Sequence, residues 1–211
     1  MKRLKDMTAE EKKILSQRVQ LYGGIALIFV TCALFLRYYN TRLIANDGIM
    51  PTPRRPVETL SVTFRAQDDP LWAEDALGDT GYTMAQEGSL FACLSMVLET
   101  NGIEATPGEI NQRFMENDMY VDGRAADVTR LEELYPEVSF SAPRDFDGGT
   151  ITDVLRKGLA CMVRVKRGEN VHWLCVVGAT DTDFLVLDPA GDGQTQPLSS
   201  FGNVYALGII Q

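Results

Sequence analysis

Residues 19 to 36, VQLYGGIALIFVTCALFL, form an unbroken uncharged run of 18 residues. A helix needs roughly 20 apolar residues to cross a bilayer core of about 30 Å, so this run is expected to be a transmembrane helix over residues 19–39. Tyr22, Tyr38 and Tyr39 stand at its edges, where amphipathic rings favour the headgroup region. A cleaved signal peptide is the alternative, but no small-x-small cleavage pattern follows and the apolar core is long for one. Lys2, Arg3, Lys5, Lys12, Lys13 and Arg18 precede the run, against Arg37 and Arg42 just after it. That bias places residues 1–18 in the cytoplasm and the rest of the chain outside it, on a cell membrane crossed once.

Charge divides the chain in the same way. Residues 1–57 hold ten Lys and Arg and four Asp and Glu, a net +6; residues 58–211 hold ten and 25, a net −15. So acidic a part repels a phosphate backbone, and nucleic-acid binding is not expected. Residues 40–60 contain Pro51, Pro53 and Pro56 and few large apolar side chains, which reads as an extended linker. A folded domain then occupies residues 61–211.

Within that domain Leu90 to Thr100 reads as a buried helix that stops near Asn101-Gly102. Thr106-Pro107-Gly108-Glu109 has the form of a capping box with proline at the first helical position, opening a helix through Ile110 and Phe114. Asp127 to Leu134 is expected to be a third helix, and Ile151, Val154 and Leu155 an apolar stripe on a short helix ending at Gly158. The period then changes. Ala160–Lys166, Val171–Val177, Phe184–Leu187 and Val204–Ile210 are β-rich runs separated by turn residues. Helices first and an antiparallel sheet later predict an α+β domain.

The cysteines are Cys32, Cys93, Cys161 and Cys175. With no CxxC pair they suggest neither a zinc site nor a disulfide framework, and no cofactor or metal is expected. Cys161 and Cys175 lie on strands expected to pair, which leaves open either a disulfide or two buried thiols.

His172 is the one histidine of the chain, near the start of the run Val171 to Gly178. The next strand ends in Leu187-Asp188-Pro189. An aspartate there can accept a hydrogen bond from a ring nitrogen on the neighbouring strand, leaving the other nitrogen to act as a base. The helix from Leu90 offers the positive end of its dipole as a seat for a nucleophile.

Gly88-Ser89-Leu90-Phe91-Ala92-Cys93-Leu94-Ser95-Met96-Val97-Leu98 resembles the nucleophile helix of the bacteriocin-processing peptidases and their stand-alone relatives, papain-like cysteine peptidases of family C-thirty-nine. Thr106-Pro107, His172-Trp173 with Val176-Val177-Gly178, and Asp188-Pro189 resemble later motifs of that family. Gln67-Asp68-Asp69-Pro70-Leu71-Trp72 resembles the Gln-x-Asp-x-x-Trp opening of the stand-alone branch. The resemblance spans residues 60–211 and implies a papain-like fold, with Gln67 as oxyanion donor, His172 as base and Asp188 as its orienter. Gln86 is a second candidate for the donor. Trp72 and Trp173 read as packing groups.

The register of Cys93, Met96 and Leu98 puts Ser89 where the family has its nucleophilic cysteine. A helix dipole and one imidazole do not hold a serine hydroxyl as an alkoxide. Cys93, one helical turn on, lies about 6 Å deeper. Three functions therefore stand side by side. The first is a membrane-anchored extracytoplasmic domain that binds peptide or protein segments and hydrolyses them poorly. The second is an active hydrolase, as a serine variant or a cysteine peptidase in which Ser89 stands for the nucleophile. The third is a structural membrane partner using Gly23-Gly24 and the acidic face. The family's processing of double-glycine leaders is cytoplasmic and attached to a transporter, so that substrate is not carried over.

Overall fold

The structure, a computed structural model, describes residues 8–120, 130–142, 145–168 and 170–210. The chain forms two units, residues 1–43 and 44–211. The first is the body of α1 (Ala9–Asp47), one unbroken helix of 39 residues. Its segment Leu15–Tyr38 is long and apolar enough to cross a membrane, and none of it is buried by the rest of the chain. Those 24 residues rise about 36 Å, enough for the hydrocarbon core. Inside the run, Thr31 donates its hydroxyl to the Leu27 carbonyl at 2.8 Å, so the helix satisfies its own polar side chain there.

The tract expected to be a linker takes another form. The helix continues to Asp47, and the stretch after it, itself part of the second unit, is bound to the rest of that unit along its length. Asn203 donates to the Asp47 carbonyl at 2.7 Å, and Ile49 and Val204 exchange backbone hydrogen bonds. Val57 does the same with Ala179, and the Leu60 amide donates to Val177. Residues 48–66 are thus an extended strap rather than a spacer. It crosses α6 (Gly148–Arg156) where that helix has no side chain in the way. A Cβ on Gly148 would lie 1.7 Å from the Thr52 carbonyl oxygen. Gly148→Ala is expected to displace the strap and lower stability by about 1–3 kcal/mol, read as a fall in the urea midpoint of the full chain. An unchanged midpoint would mean that the strap contributes nothing.

The helical part holds α2 (Met84–Glu87), α3 (Ser89–Glu99), α4 (Pro107–Glu116) and α5 (Leu131–Leu134). In α3 every side chain from Ser89 to Leu98 is buried. Thr106 and Glu109 form the expected capping box at the start of α4, with the Thr106 amide donating to Glu109 at 2.8 Å. α5 is shorter than the helix expected over 127–134, and residues 127–129 lie outside the described ones.

Among the described residues the sheet is antiparallel throughout, with six strands in the order β1-β6-β2-β3-β4-β5. They are β1 (Val138–Ser141), β2 (Cys161–Arg167), β3 (Asn170–Ala179), β4 (Phe184–Leu187), β5 (Gln196–Pro197) and β6 (Ala206–Ile210). One face packs on α3 through Trp173, Cys175 and Val177, with α4 packed on α3; the other packs on α6 through Leu174 and Val176. With both faces covered, β3 needs apolar residues on both sides, which is why its sequence does not alternate. The same arrangement decides the thiols. Cys161 pairs across the ladder with Val176, and Cys175 with Met162, so the two sulfurs belong to opposite faces. All four cysteines are free thiols, and no disulfide forms. The domain is α+β with an antiparallel sheet, as its pattern of runs predicts.

Candidate functional site

The site lies where the N-terminus of α3 meets the start of β3 and the end of β4. Gly88 links α2 to α3 at close quarters, since a Cβ there would lie 2.4 Å from the Met84 carbonyl oxygen. Ser89 follows as the first residue of α3 and is buried. Its Oγ accepts a hydrogen bond from the Trp173 amide at 3.2 Å, so the hydroxyl rests on the backbone beside His172. Among the described residues that amide is its hydrogen-bond partner.

His172 Nε2 and Asp188 Oδ1 are 2.6 Å apart, and both side chains are buried. A carboxylate in that position fixes the ring as the Nε2–H tautomer and leaves Nδ1 to take a proton. The Ala190 amide also donates to Asp188 Oδ1, at 2.8 Å. Burial pushes the Asp188 carboxyl up. The hydrogen bonds from His172 and Ala190, together with the charges of His172 and Arg167, outweigh it and hold the group below the usual carboxylate value. Because the folded value is the lower one, the stabilisation from this carboxylate is present above the unfolded value and lost as pH falls through the folded one. Asp188→Asn is expected to flatten the acid limb of a stability–pH profile measured by urea melts; a profile identical to that of the unaltered chain would contradict the coupling.

Gln67 sits across the cleft, held by its own amide on the Pro189 carbonyl at 2.9 Å, next to the Asp188 turn. Trp72, 4% exposed, anchors the same loop by donating Nε1 to the Ala66 carbonyl at 2.9 Å. Gln67 Nε2 donates to the Ala85 carbonyl at 2.7 Å and faces the Gln86 carbonyl at 3.4 Å. An amide oxygen turned to those carbonyls would repel them, so nitrogen is the atom that faces them. The donor expected to serve an oxyanion is therefore engaged with the main chain. The remaining atom, Oε1, is buried with no hydrogen-bond partner. Gln86, the second candidate donor, accepts from the Thr83 amide at 3.0 Å and is part of the cap of α2.

A cavity of about 480 Å³ opens beside these groups, lined by Gln67, His172 and Ala190 together with charged residues at its rim. Ser89 is not among its lining residues. The structure thus joins His172 to Asp188 directly, sets Ser89 against the backbone next to the imidazole, and places Gln67 across the cavity. Cys93 is fully buried, and burial, then the charges of Cys175 and Asp188, push its thiol well above its ordinary value. It is a core residue, not a nucleophile. Trp173 packs edge-on against Phe140 with centroids 5.7 Å apart, the packing role expected of it.

Two features went unnoticed in the sequence. The Trp173 amide carries no side-chain signature. The hydrogen bond from Asn170 Nδ2 to Glu87 Oε1, 3.0 Å, crosses the cavity mouth between residues 83 positions apart. Asn170 opens β3, and its residue type alone does not signal the contact.

No protein-family model matches the chain, and no curated protein matches it. Among solved structures it is similar to the crystal structure of a Bacillus anthracis protein described as a C39-like peptidase, at 12% identity and a TM-score of 0.47, covering 73% of this chain and 98% of that one. A likeness at that level says nothing of chemistry.

Proposed function

We propose that this chain is a membrane-anchored protein whose extracytoplasmic, peptidase-like domain binds peptide or protein segments and hydrolyses them poorly or not at all. The observation that carries it is the state of Ser89 beside an intact His172–Asp188 pair: its Oγ takes the Trp173 amide and does not line the cavity. A hydroxyl so placed lacks both the lowered pKa of a thiol and the tuned base contact that serine enzymes use. The cavity size is within the range of peptide and small-molecule sites, about 300–1,000 Å³. For the anchor, the support is the unburied apolar span Leu15–Tyr38 and the basic residues before it. The fold family and the topology belong to the same proposal.

In the full chain, held in lipid nanodiscs, Ser89→Ala is expected to leave retention of a mixed blocked-peptide library unchanged. Changing Gln67, His172 and Asp188 together to alanine is expected to lower it at least about tenfold, the loss of about 1.4 kcal/mol. Retention that survives the triple change would favour the purely structural partner. The hydrolase reading draws on the 2.6 Å His172–Asp188 contact. Fluorophosphonate labelling of Ser89 that vanishes in His172→Ala would establish it and end the proposal of a silent site.

A further inference from the structure

The strands that carry His172 overhang the sheet. β6 pairs with β2 over Met162–Arg164, and β4 pairs with β3 from Cys175 onward. Among the described residues, the end of β2 from Val165 and the start of β3 up to Leu174 therefore pair with each other and with no third strand. A two-stranded ribbon is marginal unless it packs against something else. The root of this one is packed, since Val165 and His172 are buried. Farther out, Lys166, Arg167, Asn170 and Val171 are exposed. Lys166 Nζ lies 4.4 Å from the centre of the Tyr205 ring, and Asn170 Nδ2 donates to Glu87 Oε1 at 3.0 Å.

The bond from Asn170 joins the two chain segments that build the site. Glu87 stands two residues before Ser89, and Asn170 two residues before His172. The Trp173 amide, donating to Ser89 Oγ, links the same two segments again. Glu87, Asn170 and Val171 line the cavity, whereas Ser89, 3% exposed, does not. On the footing that the cavity takes peptide segments, we infer that Glu87 and Asn170 form a clasp across the way from the cavity to position 89. A segment reaches that position when the overhang swings off α2. Opening costs little, because the bond is exposed and water satisfies both partners once they part. The buried His172–Asp188 contact at the root stays in place.

The test uses the full chain in nanodiscs with Cys32→Ser and Ser89→Cys, and reads the rate of iodoacetamide alkylation at position 89. Asn170→Ala is expected to raise that rate roughly three- to tenfold, the factor that one exposed hydrogen bond supplies. Glu87→Ala is expected to do the same. Glu87→Gln separates the clasp from charge. It removes the carboxylate near the new thiol but keeps an oxygen for Asn170, so the rate is expected to stay at that of the clasped chain. Changing both residues to alanine is expected to add nothing to either single change, because the same bond is lost each time. Each variant is checked for an unchanged melting temperature. A rate that ignores Asn170→Ala, or that rises as much in Glu87→Gln as in Glu87→Ala, overturns the clasp. So does an absence of labelling in every variant. No peptide enters these measurements, so the clasp can fall while peptide binding stands. Peptide binding is read separately, with the blocked library and Ser89 intact, where Asn170→Ala is expected to speed association and release alike. A library that the unaltered chain does not retain ends peptide binding and leaves the clasp to the labelling result.

Discussion

A Ser89→Cys chain is expected to be alkylated by iodoacetamide at neutral pH on the order of 10²-fold faster than the unaltered chain. The comparison is made with Cys32 changed to serine, because that thiol is exposed. The other three cysteines form a quiet background. Each is fully buried, and burial is the largest cause raising its thiol. Position 89 differs in kind. It begins an 11-residue helix, where the dipole favours a thiolate, and it touches the backbone beside an imidazole whose Nδ1 is left to accept a proton. His172→Ala in the same chain should return the rate to background. Labelling that ignores His172 would show that the imidazole does not serve position 89. No labelling at all would show that the position is closed to reagents, and with it to substrate.

Phe91→Ala should have the largest effect on stability, about 3–5 kcal/mol, because the lost ring leaves a cavity that its neighbours cannot fill. Phe91 is 2% exposed and meets Phe114 edge-on at 5.1 Å, with Tyr120 at 6.4 Å. Those contacts tie α3 to α4 and fix the helix whose first residue is Ser89. A chemical melt would show the loss directly. A cost below about 1 kcal/mol, the ordinary centre of single-residue effects, would mean that α3 is held chiefly by the sheet.

The sequence exposed the site's frame better than the surroundings that decide its use. His172 and Asp188 were legible because strand runs and a proline break fixed their places on neighbouring strands, and the pair meets as expected. The capping box of α4 was legible because its signal is local. The contacts that restrain Ser89 and Gln67 are not of that kind. One is a backbone amide of β3, the other two carbonyls within α2, and neither leaves a mark in residue type. The place of β6 between β1 and β2 is likewise set by long-range pairing. The proline-rich tract misled for a physical reason. Pro51, Pro53 and Pro56 donate no hydrogen bond, but the amides of Arg54, Val57 and Leu60 between and after them do, and an edge tolerates that spacing.

The ladder between β2 and β3 ends at Cys161 and Val176, and from Val177 onward the bonds on that side of β3 go to residues 57 and 60. A fragment cut at residue 61, where the folded domain is expected to begin if residues 40–60 are taken as a linker, would strip those partners away. It would leave unpaired backbone beside the hydrophobic layer under α6, open to self-association through the bared rim. Excision of this domain for work in solution therefore has to keep the chain from Ile49 onward.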